Sequence, residues 1–184
     1  FVNMINKIIN DEKPEYMPVA FDKGKTFRHD KYEDYKAGRI EMPNELKQQF
    51  PVAKEILTNL GIKWFEIDNY EADDIVGTLS KMIDDCDDYR GLIVSSDKDL
   101  LQLISDKVIM KMLKPKDYVM MTKETFFDVY GLTPEKMIDI KALQGDSSDN
   151  IPGVKGVGEK TALKLLQEYG SLEAIYDNLA YIKG

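Results

Sequence analysis

Carboxylates recur along this chain in four short groups at the ends of predicted strands and helices. Asp22 follows Val19–Ala20–Phe21; Glu71, Asp73 and Asp74 stand in YEADD; Asp97 and Asp99 stand in SSDKD, just after Leu92–Ile93–Val94; Asp146 and Asp149 stand in GDSSDN. Carboxylates gathered in one place repel each other and rise in pKa unless cations neutralise them. An all-oxygen ligand set, with no cysteine and no nearby histidine, selects hard cations such as Mg²⁺ or Mn²⁺. Two such ions roughly 4 Å apart can activate a water and stabilise a leaving oxygen in phosphodiester hydrolysis, with no protein nucleophile. Each group alone has a simpler reading. Glu71, Asp73 and Asp74 could be first-turn acids favoured by a helix dipole, Asp97 a helix cap, and Asp146 or Asp149 turn residues. All four together, in one α/β frame, point to a shared metal centre.

Other chemistries find little to work with. The one histidine, His29, lies in the polar run FRHDKY and is expected at the surface or on a phosphate rather than in a catalytic relay. GVKGVGEKT, residues 153–161, looks like a phosphate-binding loop, yet Glu159 stands where the lysine should be and no strand precedes it. Its glycines also run G-x-x-G-x-G, the wrong order for a dinucleotide site, and no acidic loop has calcium-hand spacing.

Two segments suit a nucleic-acid backbone. Gly153, Gly156 and Gly158 bring a turn close to another chain and expose its amides. Lys155 and Lys160 add charge beside the amides that open the helix near Glu159. The bland alternative is a plain helix–helix turn. Residues 23–39 hold Lys23, Lys25, Arg28, Lys31, Lys36 and Arg39 against Asp30, Glu33 and Asp34, with Phe27, Tyr32 and Tyr35 interleaved. Cations among aromatics fit a single strand, through charge along the phosphates and stacking on the rings; a solvated loop is the alternative.

Positioning these groups requires strands alternating with helices. Strands are expected at Val19–Phe21, Lys63–Phe65, Leu92–Val94, Val108–Leu113 and Tyr118–Met121. Apolar spacing predicts one buried helix face over residues 1–10. Helices are also expected from Pro43 to Leu60 with a bend at Pro51, from Ala72 to Met82, and from Lys98 to Ile104. Asp84, Asp85, Asp87 and Asp88 read as a solvated turn. Beyond Thr122, which caps Lys123–Tyr130, the pattern is helical, with Thr133–Pro134 opening a helix to about Leu143. This predicts an α/β domain with a largely parallel sheet over 1–121 and a helical appendage over 122–184.

The 184 residues suffice for one sizeable core. With 43% hydrophobic and 32% charged residues the chain reads as soluble and globular, and Cys86 as the one cysteine points to a reducing, cytoplasmic setting. A net charge of −8 argues at first against a nucleic-acid partner. Setting aside the eight carboxylates leaves 25 acids of 33, equal to the 25 Lys and Arg, so basic patches remain possible.

AFDKGKTFRHDKY, YEADD, SSDKDLLQL and LQGDSSDNIPGVKGVGEKTA resemble the 5′-nuclease domain of bacterial DNA polymerase I and the flap endonucleases, through nearly the whole chain. The resemblance implies a PIN-like core holding two metal ions, a helical arch (about residues 23–42) and a helix–three-turn–helix duplex clamp. It matches the eight carboxylates to metal ligands and Lys36 and Arg39 to arch residues that steer the scissile phosphate, with Tyr35 as a stacking partner. Gly153, Gly156 and Gly158 fall in the clamp, where the family often holds a potassium ion. It further implies branched, nicked or 5′-flap DNA as substrate, roles in primer removal and repair, a polymerase domain or separate polymerase as partner, and a monomer. The family begins with a strand bearing a further aspartate, whereas this chain opens on the helix at Phe1, so a partial sequence is expected. A catalytically impaired DNA-junction binder is the alternative, and an RNA-cleaving PIN-type nuclease a third reading.

Overall fold

The computed structural model describes residues 1–182, so the last two residues of the helical segment predicted over 122–184 lie outside the described residues. The chain divides into two compact units. The first comprises residues 1–33 and 38–75, and the second comprises 34–37 and the chain from Val76 onward.

The first unit carries α1 (Val2–Glu12), β1 (Val19–Ala20), α2 (Phe27–Lys31), α3 (Asn44–Lys47), α4 (Gln49–Asn59) and β2 (Trp64–Phe65). β1 and β2 lie at two of the predicted strands and pair in parallel, Val19 against Trp64 and Ala20 against Phe65. The core is small: Ile5, Phe21 and Leu57 are buried, and Met17, Val19, Phe50, Ile62 and Trp64 pack around them. Phe21 meets Phe50 and Trp64 edge-on at 6.1 and 6.3 Å, a favoured geometry for aromatic pairs. Lys54 lies over both the Phe21 and Trp64 rings while pairing with Glu66.

Two expectations change here. Of the apolar face predicted for residues 1–10, only Ile5 is buried, while Phe1, Val2, Met4 and Ile9 are exposed. Two strands of two residues each present too little apolar surface to cover that face. The helical run after Pro43 breaks at Gln48, three residues before Pro51. A proline ring clashes with the carbonyl four residues earlier, here that of Lys47, so the chain starts a new helix and Pro51 sits in its first turn. Gly61 ends the run with φ of 72°. Within 23–42 the one helix is the five-residue α2, followed by turns.

α5 (Ala72–Asp84) begins in the first unit and continues in the second. There follow β3 (Gly91–Ser95), β4 (Val108–Leu113), β5 (Tyr118–Met121), α6 (Lys123–Tyr130), α7 (Met137–Gln144), β6 (Gly145–Asp146), β7 (Ile151–Pro152), α8 (Glu159–Tyr169) and α9 (Leu172–Asp177). β3 and β4 are parallel, joined through a 3₁₀ helix over Lys98–Leu103, whereas β4 and β5 form an antiparallel hairpin. The sheet is therefore mixed rather than largely parallel, because Lys114–Asp117 is too short for the crossover a parallel neighbour needs.

Residues from β3 through α9 share one core. Leu101, Val108, Met110, Phe126, Ala162 and Leu166 are fully enclosed in it. The helices expected as an appendage thus cover the sheet and the 3₁₀ helix directly. Thr122 caps α6 as predicted, and Gly131 closes it with φ of 65°. The acidic turn after α5 is solvated at Asp85, Asp87 and Asp88, as expected, and it is also fastened to the chain that leads into β4. Ser105 donates to Asp84 Oδ1 at 2.5 Å, and the Lys107 ammonium reaches the carbonyls of Asp84 and Cys86 and the carboxylate of Asp87. Among the described residues no helix is long and apolar enough to cross a membrane.

Candidate metal centre and nucleic-acid interface

In the first unit, the end of β1 and the start of α5 hold four of the carboxylates. Asp22 Oδ1 accepts from the Ala72 amide at 2.7 Å, satisfying one of the amide donors that a helix start leaves unpaired. Asp74 Oδ2 accepts from the Glu71 amide at 2.9 Å. Glu71 is buried and takes a long hydrogen bond of 3.4 Å from the Thr26 hydroxyl. Asp73 occupies the first turn of α5, where the helix dipole favours negative charge. Arg28, expected at a nucleic-acid backbone, forks onto Asp74 at 2.7 and 2.8 Å and lies over the Phe27 ring at 4.7 Å. His29 accepts from the Thr26 amide at 3.1 Å and so caps α2.

In the second unit, Asp97 caps the 3₁₀ helix by accepting from the Asp99 amide at 2.9 Å. Asp146 Oδ1 accepts from the Ser148 amide and hydroxyl at 2.7 and 2.6 Å, an Asx-type turn that holds GDSSDN. The simpler local readings therefore hold for Asp97 and Asp146, without excluding a second role. Lys141 is a residue that sequence reasoning missed. From the last turn of α7 its ammonium reaches Asp99 Oδ1 at 2.6 Å and Asp146 Oδ2 at 2.8 Å. No motif relates Lys141 to Asp99, 42 positions earlier; only its place five residues before Asp146 could have hinted at the contact.

These contacts set the electrostatics. Burial pushes the Asp99 carboxyl above its usual range, with Asp97 and Asp146 adding repulsion, and Lys141 only partly offsets this. Burial would also raise Asp146, but hydrogen bonds from Lys141 and Ser148 outweigh it and hold that carboxyl well below the usual range. Burial opposes the charge on Lys141, yet its bonds to Asp146 and Asp99 win and raise its pKa.

Asp149 anchors the short piece 34–37. Tyr35 donates its hydroxyl to Asp149 Oδ2 at 2.9 Å, the Lys36 amide donates to the Asp149 carbonyl at 2.9 Å, and Asn150 donates to the Asp34 carbonyl at 2.9 Å. Tyr35 is consequently only 6% exposed, and its ring does not stand open for the base stacking expected of it. Lys36 adopts a left-handed φ of 57° and holds its ammonium 5.1 Å from the Tyr35 ring centre. Arg39 is exposed.

The glycine hairpin has two distinct parts. Gly145 and Gly153 lie back to back, so a Cβ on Gly153 would come within 2.2 Å of the Gln144 carbonyl carbon and one on Gly145 within 2.3 Å of the Gly153 nitrogen. Gly153 therefore serves the packing of β6 on β7 before any ligand. Gly156, at φ of 84°, and Gly158, the N-cap of α8, face open space. Lys155 and Lys160 are exposed beside them.

The donor chemistry fits a hard divalent cation. All eight donors are carboxylates, and the buried oxygen Asp99 Oδ1 already lies against a positive charge, the Lys141 ammonium at 2.6 Å. Among the described residues, however, no three His, Cys, Asp or Glu side chains are gathered as a metal's donors would be. The local partners described above hold them.

Comparison with known proteins agrees along the whole chain. Residues 1–131 match the family model of the 5′-3′ exonuclease N-terminal resolvase-like domain, and residues 132–184 match that of the 5′-3′ exonuclease C-terminal SAM fold. DNA polymerase I of Bacillus caldotenax is 46% identical over 187 residues, which cover all of this chain and 21% of that protein. The chain thus spans about a fifth of the curated relatives it matches. The bacteriophage T5 5′-exonuclease with bound zinc superposes with a TM-score of 0.81 at 28% identity, covering all of this chain and 70% of that one. A T5 flap endonuclease in a pseudo-enzyme–product complex with DNA and metal ions gives 0.79 at 27%, with the same coverage. This chain belongs to the 5′-3′ exonuclease family, with a resolvase-like PIN-type α/β part followed by a helical SAM-fold part.

Proposed function

We propose that this chain is a monomeric, cytoplasmic 5′ nuclease domain. It hydrolyses DNA phosphodiesters as a 5′→3′ exonuclease and flap endonuclease at branched, nicked or 5′-flap DNA, in primer removal and repair. The observation that carries this reading is the Asp99–Asp146 pair, two partly buried carboxylates brought together on the Lys141 ammonium. Asp22, Glu71, Asp73, Asp74, Asp97, Asp99, Asp146 and Asp149 would hold two Mg²⁺ or Mn²⁺ ions. When bound, such ions supply an activated water and stabilise the departing 3′-oxygen.

The chain's own residues do the positioning. Lys36 and Arg39 bring positive charge to the scissile phosphate, and the bond from the Lys36 amide to Asp149 holds that lysine at the GDSSDN loop. The open glycines Gly156 and Gly158, the first amides of α8, Lys155 and Lys160 grip a duplex phosphate backbone without reading bases. Main-chain carbonyls of the same hairpin would hold a potassium ion, an oxygen donor set suited to a hard cation. The polymerase relatives make a polymerase domain, or a separate polymerase, the natural partner.

The test is cleavage of a 5′-labelled flap duplex with Mg²⁺, with EDTA and Asp146→Ala as controls. Cutting near the branch that both controls abolish is expected. Tight flap binding with no cutting under any condition would replace this reading with a junction-binding module. Preference for single-stranded RNA over flap DNA would replace it with an RNA-cleaving one.

A further inference from the structure

The Lys141 ammonium occupies a position that no motif in the chain foretold. It is within 2.6 Å of Asp99 Oδ1 and 2.8 Å of Asp146 Oδ2, and the three side chains are 30%, 31% and 11% exposed, respectively. Two carboxylates so placed are mutually repulsive without a cation between them. The lysine cannot diffuse away, since α7 fixes its backbone beside the Gly145–Asp146 strand. A divalent ion bound to these oxygens would sit about 2.0–2.6 Å from each. That leaves no room for an ammonium at its present distance from both, and the two positive charges repel. We propose that Lys141 is a built-in counter-cation of the metal centre: it holds Asp99 and Asp146 together and competes with a divalent ion for their oxygens, so that it sets metal affinity. This rests on the metal-dependent reading above, and it makes Lys141 a positioning residue rather than a catalytic one.

Two consequences of opposite sign follow from this geometry. Without divalent metal, removing the lysine charge leaves two desolvated carboxylates unpaired and destabilises the fold. With metal, the same change removes a competitor and tightens binding. A lysine with only a structural role would predict the first effect and not the second.

The experiment is Mn²⁺ titration of the whole chain by calorimetry, with thermal melts in EDTA and in saturating Mn²⁺, for the wild type, Lys141→Met and Lys141→Arg. Lys141→Gln, which keeps a donor for both carboxylates, replaces the methionine variant if that does not fold. The neutral variant should bind Mn²⁺ at least about tenfold more tightly, given two like charges within a few ångströms of each other. It should melt lower than wild type in EDTA and recover in Mn²⁺. Lys141→Arg should stay near wild type. Lys136→Met, which breaks an ion pair with Asp139 on the same helix, should leave Mn²⁺ affinity unchanged. Unchanged or weaker Mn²⁺ binding by a folded neutral variant overturns the proposal while the nuclease reading stands. No Mn²⁺ binding by the wild type overturns both.

Discussion

Replacing Gly153 with alanine should cost far more than the same change at Gly156, although both glycines belong to one predicted hairpin. A Cβ on Gly153 would stand 2.2 Å from the Gln144 carbonyl carbon and 2.3 Å from the Gly145 nitrogen, more than 1 Å short of ordinary contact. The obstructing atoms are backbone, so no rotamer change relieves them. β6 and β7 must part, breaking the pairing of Gly145 with Pro152 and Asp146 with Ile151. Overpacking of this kind costs about 1–3 kcal/mol, and each lost main-chain hydrogen bond about 1 kcal/mol more, giving roughly 3–5 kcal/mol. At Gly145, φ of 75° with ψ of −176° adds the penalty of a region open essentially to glycine alone, about 1–3 kcal/mol. Gly156 has a left-handed φ but open space around it, so alanine there costs only about 1–2 kcal/mol. Urea unfolding followed by circular dichroism ranks the three variants directly. A Gly153→Ala protein within about 1 kcal/mol of wild type would refute the argument. Gly156→Ala should instead act mainly on the affinity and salt dependence of flap-DNA binding.

Three further outcomes are expected. Tyr35→Phe removes the hydroxyl that donates to Asp149, so the Lys36 amide should exchange hydrogen faster by the equivalent of about 1–2 kcal/mol; unchanged protection would show that residues 34–37 are anchored by other means. Arg28→Lys should lose the two-pronged grip on Asp74 and lower the melting temperature. In a double-mutant cycle with Asp74→Asn the two changes should couple by about 1 kcal/mol, and strict additivity would contradict the pairing. In EDTA, the depressed pKa of Asp146 contributes stability that is fully present above the unfolded carboxyl value of 3.8 and disappears as pH falls toward the lower folded value. Asp146→Asn should therefore flatten the fall in melting temperature between about pH 5 and pH 2. The raised Asp99 carboxyl has the opposite sign, its contribution being lost as pH rises through its folded value. A melting profile for Asp146→Asn that matches wild type would count against the Asp146 assignment.

Much of the local structure was legible because it depends on neighbouring residues. Apolar runs marked β1 and β2, Thr122 marked the cap of α6, and Gly61 marked the end of α4. The four carboxylate groups and the glycine hairpin could be named because composition and spacing persist whatever the chain does at long range. Contacts over long sequence separations could not be read. Lys141 meets Asp99 and Tyr35 meets Asp149 only after folding, and the burial that turned Tyr35 from a proposed stacking surface into an anchor has no local signature. Arg28 likewise looked like one more cation in a basic segment, until a partner 46 residues away claimed it. Propensity and charge pattern are properties of short stretches of chain, whereas the partner of a charged group, and so its pKa and its availability to a ligand, is decided by which distant residues share its desolvated volume.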